Sequence, residues 1–219
     1  MTLNRLMQDT AAQINYWDRV ANQKHFSHPL RAEWLMRYSN PQACILDYGC
    51  GYGRTLADLS EVGFQNLVGV DFSEAMLMRA HVAVPRAALV RNDGLNFPFR
   101  NECFDILLLF ALLTCIPDDE AQRQILAEAS RVLKQGGLLY ISDLLINDDQ
   151  RNRDRYQRYA ASYERYGVFE LPEGVVVRHH QREWIDDITS AFQQLNYEPF
   201  TVTTMNGNAS AAFQYLGRK

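Results

Sequence analysis

Basic residues are the minority in this chain: 22 Lys and Arg stand against 26 Asp and Glu, a formal net charge of −4. No global positive field is present to hold a polyanion by counterion release, so nucleic acid is not expected as a partner. Cysteine is scarce. Cys44, Cys50, Cys103 and Cys115 form no C-x-x-C pair and have no His at ligand spacing beside them, so neither a metal site nor a disulfide framework is expected. Reduced thiols are the simplest account, three of them in apolar stretches that read as strand. With 12 Gly and 7 Pro the chain has too few of either for a fibrous or disordered protein. Long apolar runs are also missing: ILLLFALLTCI is well short of the ~20 residues a membrane helix needs. The stretch MTLNRLMQDTAAQINYW lacks the continuous apolar core of a signal peptide. A soluble, cytoplasmic protein without a membrane partner is expected.

What is present is a strand–helix alternation. The 219 residues, 47% of them hydrophobic, suit one domain with a substantial core. ACILDYG, NLVGVD, AALVRND, FDILLLFA and LLYISDLL read as strands. TLADLSEVG, SEAMLMRAHVAV and DDEAQRQILAEASRVLKQGG read as helices, the first closed by Gly63, the second capped by Ser73 and the third stopped at Gly136. FDILLLFA is almost free of polar residues, as a central parallel strand should be. Repeated alternation of this kind predicts a doubly wound α/β sheet with right-handed crossovers.

Beyond Asp143 the pattern changes. Asp148 to Tyr166 is polar, Arg- and Tyr-rich and helical in period; VFELPEGVVVRHH is β-prone; REWIDDITSAFQQLN returns to helical period. PFTVTTM, NGN and SAAFQYLG read as an antiparallel hairpin. RNRDRYQR reads first as a solvated helix face, with Arg151, Arg153, Arg155 and Arg158 interrupted by Asp154.

The stretch ILDYGCGYGRT follows a buried strand. A glycine turn there lets the backbone approach a ligand at the carboxyl edge of the sheet, next to the free N–H groups of a helix start. The dinucleotide fingerprint G-x-G-x-x-G would need a third glycine at position 54, which is Arg54. The glycines present are Gly49, Gly51 and Gly53, with Asp47 two places ahead. Asp71, at the end of the second strand, is placed to accept hydrogen bonds from a ribose diol.

DYGCGYG, GVDFS, RNDGLNFPF, FDILLLFALLTCIPD and RVLKQGGLLYISD, in this order and spacing, resemble the class I S-adenosylmethionine-dependent methyltransferases, in the branch of small bacterial enzymes acting on small molecules. The resemblance runs from about Ala43 to Asp143. It implies a Rossmann-like, mostly parallel seven-stranded sheet with a C-terminal antiparallel hairpin in a single domain. Residues 1–42 would form an N-terminal helical lid and 43–147 the cofactor core. Residues 148–180 would be a substrate-cover insertion after the fifth strand, and 181–219 the last helix and hairpin. It implies S-adenosylmethionine as cofactor and S-adenosylhomocysteine as product. Asp47, Tyr48, Gly49, Cys50, Gly51 and Gly53 match the loop that meets the methionine portion and ribose. Asp71 matches the ribose acceptor, Phe72 the residue on adenine, and Met76 the same pocket. Asn92, Asp93, Gly94 and Leu95 match the adenine edge, and Phe110 the space between cofactor and acceptor. Cys50 and Phe110 depart from the family's usual residues.

The acceptor side is less legible. Tyr16, Trp17, His25 and His28 fall where related enzymes carry a lid helix. Thr114, Cys115 and Asp143 follow the fourth and fifth strands, and Phe110 stands beside them. His179 and His180 are an adjacent pair in which an imidazole near its ordinary pKa would take a proton at neutral pH. Packing, capping and surface roles stand as alternatives for every one of these. The arginines of 151–158 favour an anionic acceptor, whereas Tyr156, Tyr159, Tyr163, Tyr166 and Phe169 favour a planar or apolar one. The expected activity is methyl transfer to an oxygen or nitrogen of a small metabolite by a monomer or homodimer. The alternatives are a catalytically silent cofactor-binding or regulatory partner, methylation of a peptide, and an NAD-dependent oxidoreductase.

Overall fold

The computed structural model describes residues 13–23, 27–92 and 94–219. Among the described residues nine strands occur: β1 (Cys44–Tyr48), β2 (Asn66–Asp71), β3 (Ala88–Arg91), β4 (Phe104–Phe110), β5 (Leu133–Leu144), β6 (Val168–Glu170), β7 (Val176–Arg178), β8 (Gln193–Thr203) and β9 (Ala209–Arg218). Seven of them form one sheet in the order β3-β2-β1-β4-β5-β9-β8. The first five are parallel, β9 runs antiparallel to β5, and β8 antiparallel to β9. The sheet is the predicted one. Strand order reverses at β1, which has β2 on one side and β4 on the other, and the crevice at that carboxyl edge is where open α/β sheets take ligands.

The helices are α1 (residues 13–20), α2 (Ala32–Tyr38), α3 (Arg54–Glu61), α4 (Glu74–Ala83), α5 (Asp119–Val132), α6 (Gln150–Tyr163) and α7 (Arg182–Ile188), with a 3₁₀ turn at Leu113–Cys115. Side-chain caps set three of the starts: Ser73 accepts from Met76 N, Asp118 from Ala121 N and Asp149 from Asn152 N. Each such cap contributes about 1 kcal/mol. On one face of the sheet Leu35, Leu56 and Leu59 pack on Ile45, Ile106 and Leu108. On the other, Ile125, Leu126, Ala129 and Ile185 pack on Leu46, Leu107 and Leu139. Burying each of the large side chains stabilises the fold by about 1.5–3 kcal/mol.

Two boundaries differ from the sequence reading. Gly136 does not end α5, which stops at Val132; β5 begins at Leu133, paired with Phe104, and Gly136 (φ +76) lies inside the strand, next to a register shift. Gln193 to Asn196 are not helical either. They pair with Arg218, Gly217 and Leu216 of β9, and this long-range ladder overrides the local helical period. Of the four cysteines only Cys44 lies in a strand, and all four are free.

A third apolar cluster sits above the carboxyl edge. Trp17 and Val20 from α1, Met76 from α4, Tyr156 from α6, and Phe169 and Val177 from the β6–β7 hairpin meet there and form a cap. Asp18 on α1 accepts from Ser73 Oγ (2.5 Å) and Ala75 N (3.2 Å), tying α1 to the start of α4. Among the described residues no helix is long and apolar enough to cross a membrane.

Gly53 shows why the loop ends in glycine. It opens α3 with φ +80, and a Cβ there would stand 3.1 Å from both Ala80 Cβ and Val84 Cγ2 of the α4 segment. Left-handed backbone and helix contact both exclude a side chain. Gly53→Ala is therefore expected to lower unfolding stability by about 1–3 kcal/mol, read as a drop in the urea midpoint at unchanged slope. An unchanged midpoint would refute this packing role.

Candidate active site

Three adjoining hollows lie along the carboxyl edge. The first, about 230 Å³, is bounded by Tyr48, Asp71, Phe72, Asn92, Gly94 and Leu95. Tyr48 stacks on Phe97 with centroids 3.8 Å apart, and its hydroxyl donates to Gly94 O (2.7 Å). Asn92 braces the same loop, accepting from Gly94 N (2.9 Å) and donating to Asn96 O (2.8 Å). Asp93 lies outside the described residues, as does His25.

The second hollow, about 70 Å³, continues from Asp71 past Asp47, Gly49, Cys50, Gly51, Met76 and Phe110. Gly49 and Gly51 hold left-handed backbone (φ +85 and +52), which aims the loop at the cleft. Asp71 locks that loop: Oδ2 accepts from Gly51 N (2.8 Å) and Oδ1 from Ser73 N (2.9 Å). Burial raises its pKa to about 6, against the opposing effect of these backbone N–H groups. Each oxygen keeps a lone pair for a hydroxyl donor. Gly53 faces α4 and lines none of the three hollows.

Asp47 is buried with neither carboxylate oxygen hydrogen-bonded, and burial raises its pKa to about 7 while Arg54 acts the other way. Arg54 borders the same hollow, and its buried Nε is also without a partner. A carboxylate with both oxygens open, beside a guanidinium that pairs with Asp58 (3.1 Å) but keeps its Nε–H open, complements an ammonium and a carboxylate at one end of the cleft. An acceptor pair for ribose at the middle and an aromatic-walled slot at the other end complete a receptor that fits S-adenosylmethionine. Reading the sequence singled out Asp47 but not Arg54. The one signal was that an arginine occupies the position where the dinucleotide fingerprint has glycine.

The third hollow is a chamber of about 580 Å³ under the cap. Its wall is shared with the second hollow at Trp17, His28, Ala111 and Cys115. Ala111 takes a left-handed conformation (φ +52) where β4 ends, with its N–H on Ser142 O (2.8 Å); such strain in a non-glycine residue costs on the order of 1 kcal/mol. His28 is buried, its Nδ1 2.9 Å from Ser142 Oγ. Burial, aided by Arg54, lowers its pKa to about 4, so it is neutral at pH 7. Burial pushes the Cys115 thiol far up, so it is no nucleophile.

The other candidates separate. Thr114 lines the chamber and donates its hydroxyl to Arg178 O (2.7 Å). Asp143 does not line it: fully buried, it accepts from Thr114 N (3.1 Å) and Leu144 N (2.7 Å), and burial raises its pKa to about 7. His180 points into the core. Its Nδ1 lies 3.1 Å from Leu144 O and its Nε2 3.0 Å from Gln122 Nε2, which fixes Nδ1 as the donor and Nε2 as the acceptor and uses both nitrogens. Burial lowers its pKa to about 3. His179 does line the chamber, but its Nδ1 receives Tyr156 OH (2.6 Å), so the ring proton sits on Nε2. Burial, Arg155 and His180 all press its pKa well down. Tyr16 packs edge-on against Trp17 (5.0 Å) away from all three hollows, and burial pushes its pKa up to about 12. Neither Asp143, His180 nor Tyr16 is therefore placed to touch an acceptor, contrary to their candidacy in the sequence.

The arginine run also departs from expectation. Arg151, Arg155 and Arg158 line the chamber and are not simply a solvated face, and Tyr159 and Phe169 line it with them. Among the described residues no group of three His, Cys, Asp or Glu side chains is arranged to hold a metal ion.

Residues 46–141 match the methyltransferase domain family. A putative methyltransferase of Encephalitozoon cuniculi is 32% identical over 128 residues, covering 55% of this chain and 58% of that protein. The eEF1A lysine and N-terminal methyltransferase of Bos taurus is 27% identical over 144 residues, 57% of this chain and 20% of that one. The chain thus spans little more than half, or only a fifth, of these two curated relatives. A SAM-dependent methyltransferase structure from Methanosarcina mazei superposes with a TM-score of 0.79 at 23% identity, covering 85% of this chain and 96% of that one. Sheet order, glycine loop and matched segment together identify residues 46–141 as the cofactor-binding part of a class I S-adenosylmethionine-dependent methyltransferase.

Proposed function

We propose that the chain transfers the methyl group of S-adenosylmethionine to an oxygen or nitrogen of a small molecule held in the 580 Å³ chamber, releasing S-adenosylhomocysteine. The observation that carries this reading is the shared wall of Trp17, His28, Ala111 and Cys115, where the end of the cleft flanked by Asp47 and Arg54 opens beside the chamber. The bound cofactor supplies a methyl group that its sulfonium has already activated for in-line displacement.

The chain's own residues position and shield. Asp71 takes the ribose hydroxyls, Asp47 and Arg54 the amino-acid end, and Tyr48, Phe72, Asn92, Gly94 and Leu95 the base. Met76 and Phe110 fill the sides of the second hollow. Positioning alone supplies a large share of the acceleration in such a displacement. The cap of α1, α6 and the β6–β7 hairpin excludes water. His28 presents a neutral imidazole at the shared wall, a weak base suited to receiving a hydrogen bond from an acceptor that loses its proton late. The chamber volume lies in the usual range of small-molecule sites, roughly 300–1,000 Å³.

The test is release of S-adenosylhomocysteine by the purified chain from S-adenosylmethionine and a panel of small hydroxyl and amine acceptors, followed by chromatography. Product formation with at least one acceptor is expected. A lysine peptide forms a separate arm, because the bovine relative is named for a protein acceptor; turnover there alone would move the assignment to peptides. Intact S-adenosylhomocysteine binding with no turnover in any arm would favour a silent cofactor-binding protein.

A further inference from the structure

We infer that the acceptor chamber selects a molecule with an apolar body and one anionic group, a carboxylate or phosphate, gripped by Arg151, Arg155 and Arg158 of α6. This rests on the reading of the chamber as the acceptor site. The three arginines follow i, i+4, i+7 spacing and so share one helix face, and that face lines the chamber. Arg153, off that face, turns back to Asp148 O and Gln150 Oε1.

Several arginines elsewhere on this acidic chain are matched with carboxylates: Arg54 with Asp58, Arg123 with Asp187, Arg178 with Asp119 and Arg182 with Asp186. In the chamber they are not. Among the described residues neither Arg155 nor Arg158 has a carboxylate within 4.0 Å, and Arg151 reaches Asp149 only at 3.9 Å. Arg155 is half-buried, its guanidinium 3.7 Å from the Phe169 ring centre and its Nε enclosed without a hydrogen-bond partner. Burial works against its charge. Tyr156, the Phe169 ring and the more distant Asp149 offset that effect only in part; an arriving anion would complete the compensation, and guanidinium suits the two-pronged oxygens of carboxylate and phosphate.

The remaining wall orients the molecule. Glu170 and Glu173, the carboxylates that border the chamber, belong to the β6–β7 hairpin and are exposed. Glu170 Oε1 leans towards the hairpin turn, 4.0 Å from where a Cβ on Gly174 would stand. The hairpin side therefore repels an anion that α6 attracts. His28 and His179 are both neutral, so the positive charge offered to an anion comes from α6. Trp17, Phe169, Leu171, Val175 and Val177 supply apolar surface to the same chamber.

The experiment is calorimetric titration of the chain loaded with S-adenosylhomocysteine, using benzoate, phenyl phosphate and neutral benzamide as probes. It is repeated on the Arg155→Ala/Arg158→Ala double variant. At least one anion is expected to bind about tenfold or more tightly than benzamide, and the double variant to lose about tenfold or more of that affinity. The anion's affinity should also fall with added salt. The benzoate and phenyl phosphate arms decide between carboxylate and phosphate. Benzamide binding as well as the anions, absence of binding by both anions, or full anion affinity in the double variant would each overturn the inference. S-adenosylhomocysteine affinity, which the double variant should keep, reports separately on the cofactor site: its failure in the wild type would count against the methyltransferase reading, and the same titrations on the unloaded chain would still decide the anion question.

Discussion

Asp71→Ala is expected to weaken binding of S-adenosylmethionine and S-adenosylhomocysteine by roughly 100-fold or more. Two losses combine. The ribose loses both acceptor oxygens, and hydrogen bonds to a charged group are worth about 1.5–3 kcal/mol each. The loop loses its lock, because Gly51 N and Ser73 N donate to this one carboxylate from opposite sides of the cleft. With the carboxylate gone these N–H groups are left in a buried place without a partner, costing about 1–3 kcal/mol apiece in stability. Asp71→Asn keeps the volume but turns an NH₂ group towards one of the two N–H donors, so it should also lose affinity, by less. Calorimetric titration with S-adenosylhomocysteine beside a thermal melt separates the two effects. An Asp71→Ala protein that stays folded and binds within about threefold of wild type would contradict the assignment of this residue. NAD is expected to give no heat with either protein.

Asp47→Asn should do the opposite to the two properties: stabilise the chain without ligand and weaken its grip on the cofactor. Asp47 is 1% exposed with no hydrogen bond to either oxygen, so its charge is held in the core chiefly against desolvation. Its pKa rises from 3.8 to about 7 for that reason. The sign follows from linkage. The folded state binds the proton more tightly than the unfolded chain, so the penalty is absent below the unfolded value of 3.8, grows as pH rises, and is fully present above about 7. Asparagine carries no such penalty. At pH 8 the variant should melt higher, by something on the order of 2 kcal/mol or about 4–8 °C for a domain of this size. At pH 4 the two proteins should melt alike. S-adenosylhomocysteine affinity should fall roughly tenfold or more because an amide cannot match a carboxylate against an ammonium. A destabilised variant at pH 8 would mean that Asp47 is paired within the free protein.

These two aspartates were both legible from the chain alone, and the reason is local. A ligand loop between a strand and a helix is written in consecutive residues: an apolar run to Tyr48, glycines at 49, 51 and 53 for backbone that only glycine adopts easily, and an acid at the end of the next strand. Helix caps at Ser73 and Asp118 were equally local. The boundary at Gln193 was not, because pairing with Arg218 at the far end of the chain outweighs the helical period of the segment.

The acceptor side shows the limit more sharply. His179 and His180 looked equivalent as neighbours, yet next to β7 the extended backbone sends successive side chains to opposite sides, and only packing decides which side is the chamber and which the core. The spacing of Arg151, Arg155 and Arg158 defined a common helix face, but whether that face met water or a cavity depended on how α6 settles over β6 and α1. Arg54 became a site residue, and the candidate His28 gained a place on the wall of the cleft, only when β1, α3 and the approach to α2 converged at one end. The sheet, the glycine loop and the acid that ends the second strand follow from short-range pattern and were set by the sequence itself. The chamber was decided by tertiary structure, since its walls come from α1, the end of β4, α6, the β6–β7 hairpin and the β8–β9 turn, segments far apart in the chain whose side chains acquire a common purpose only through burial against one another.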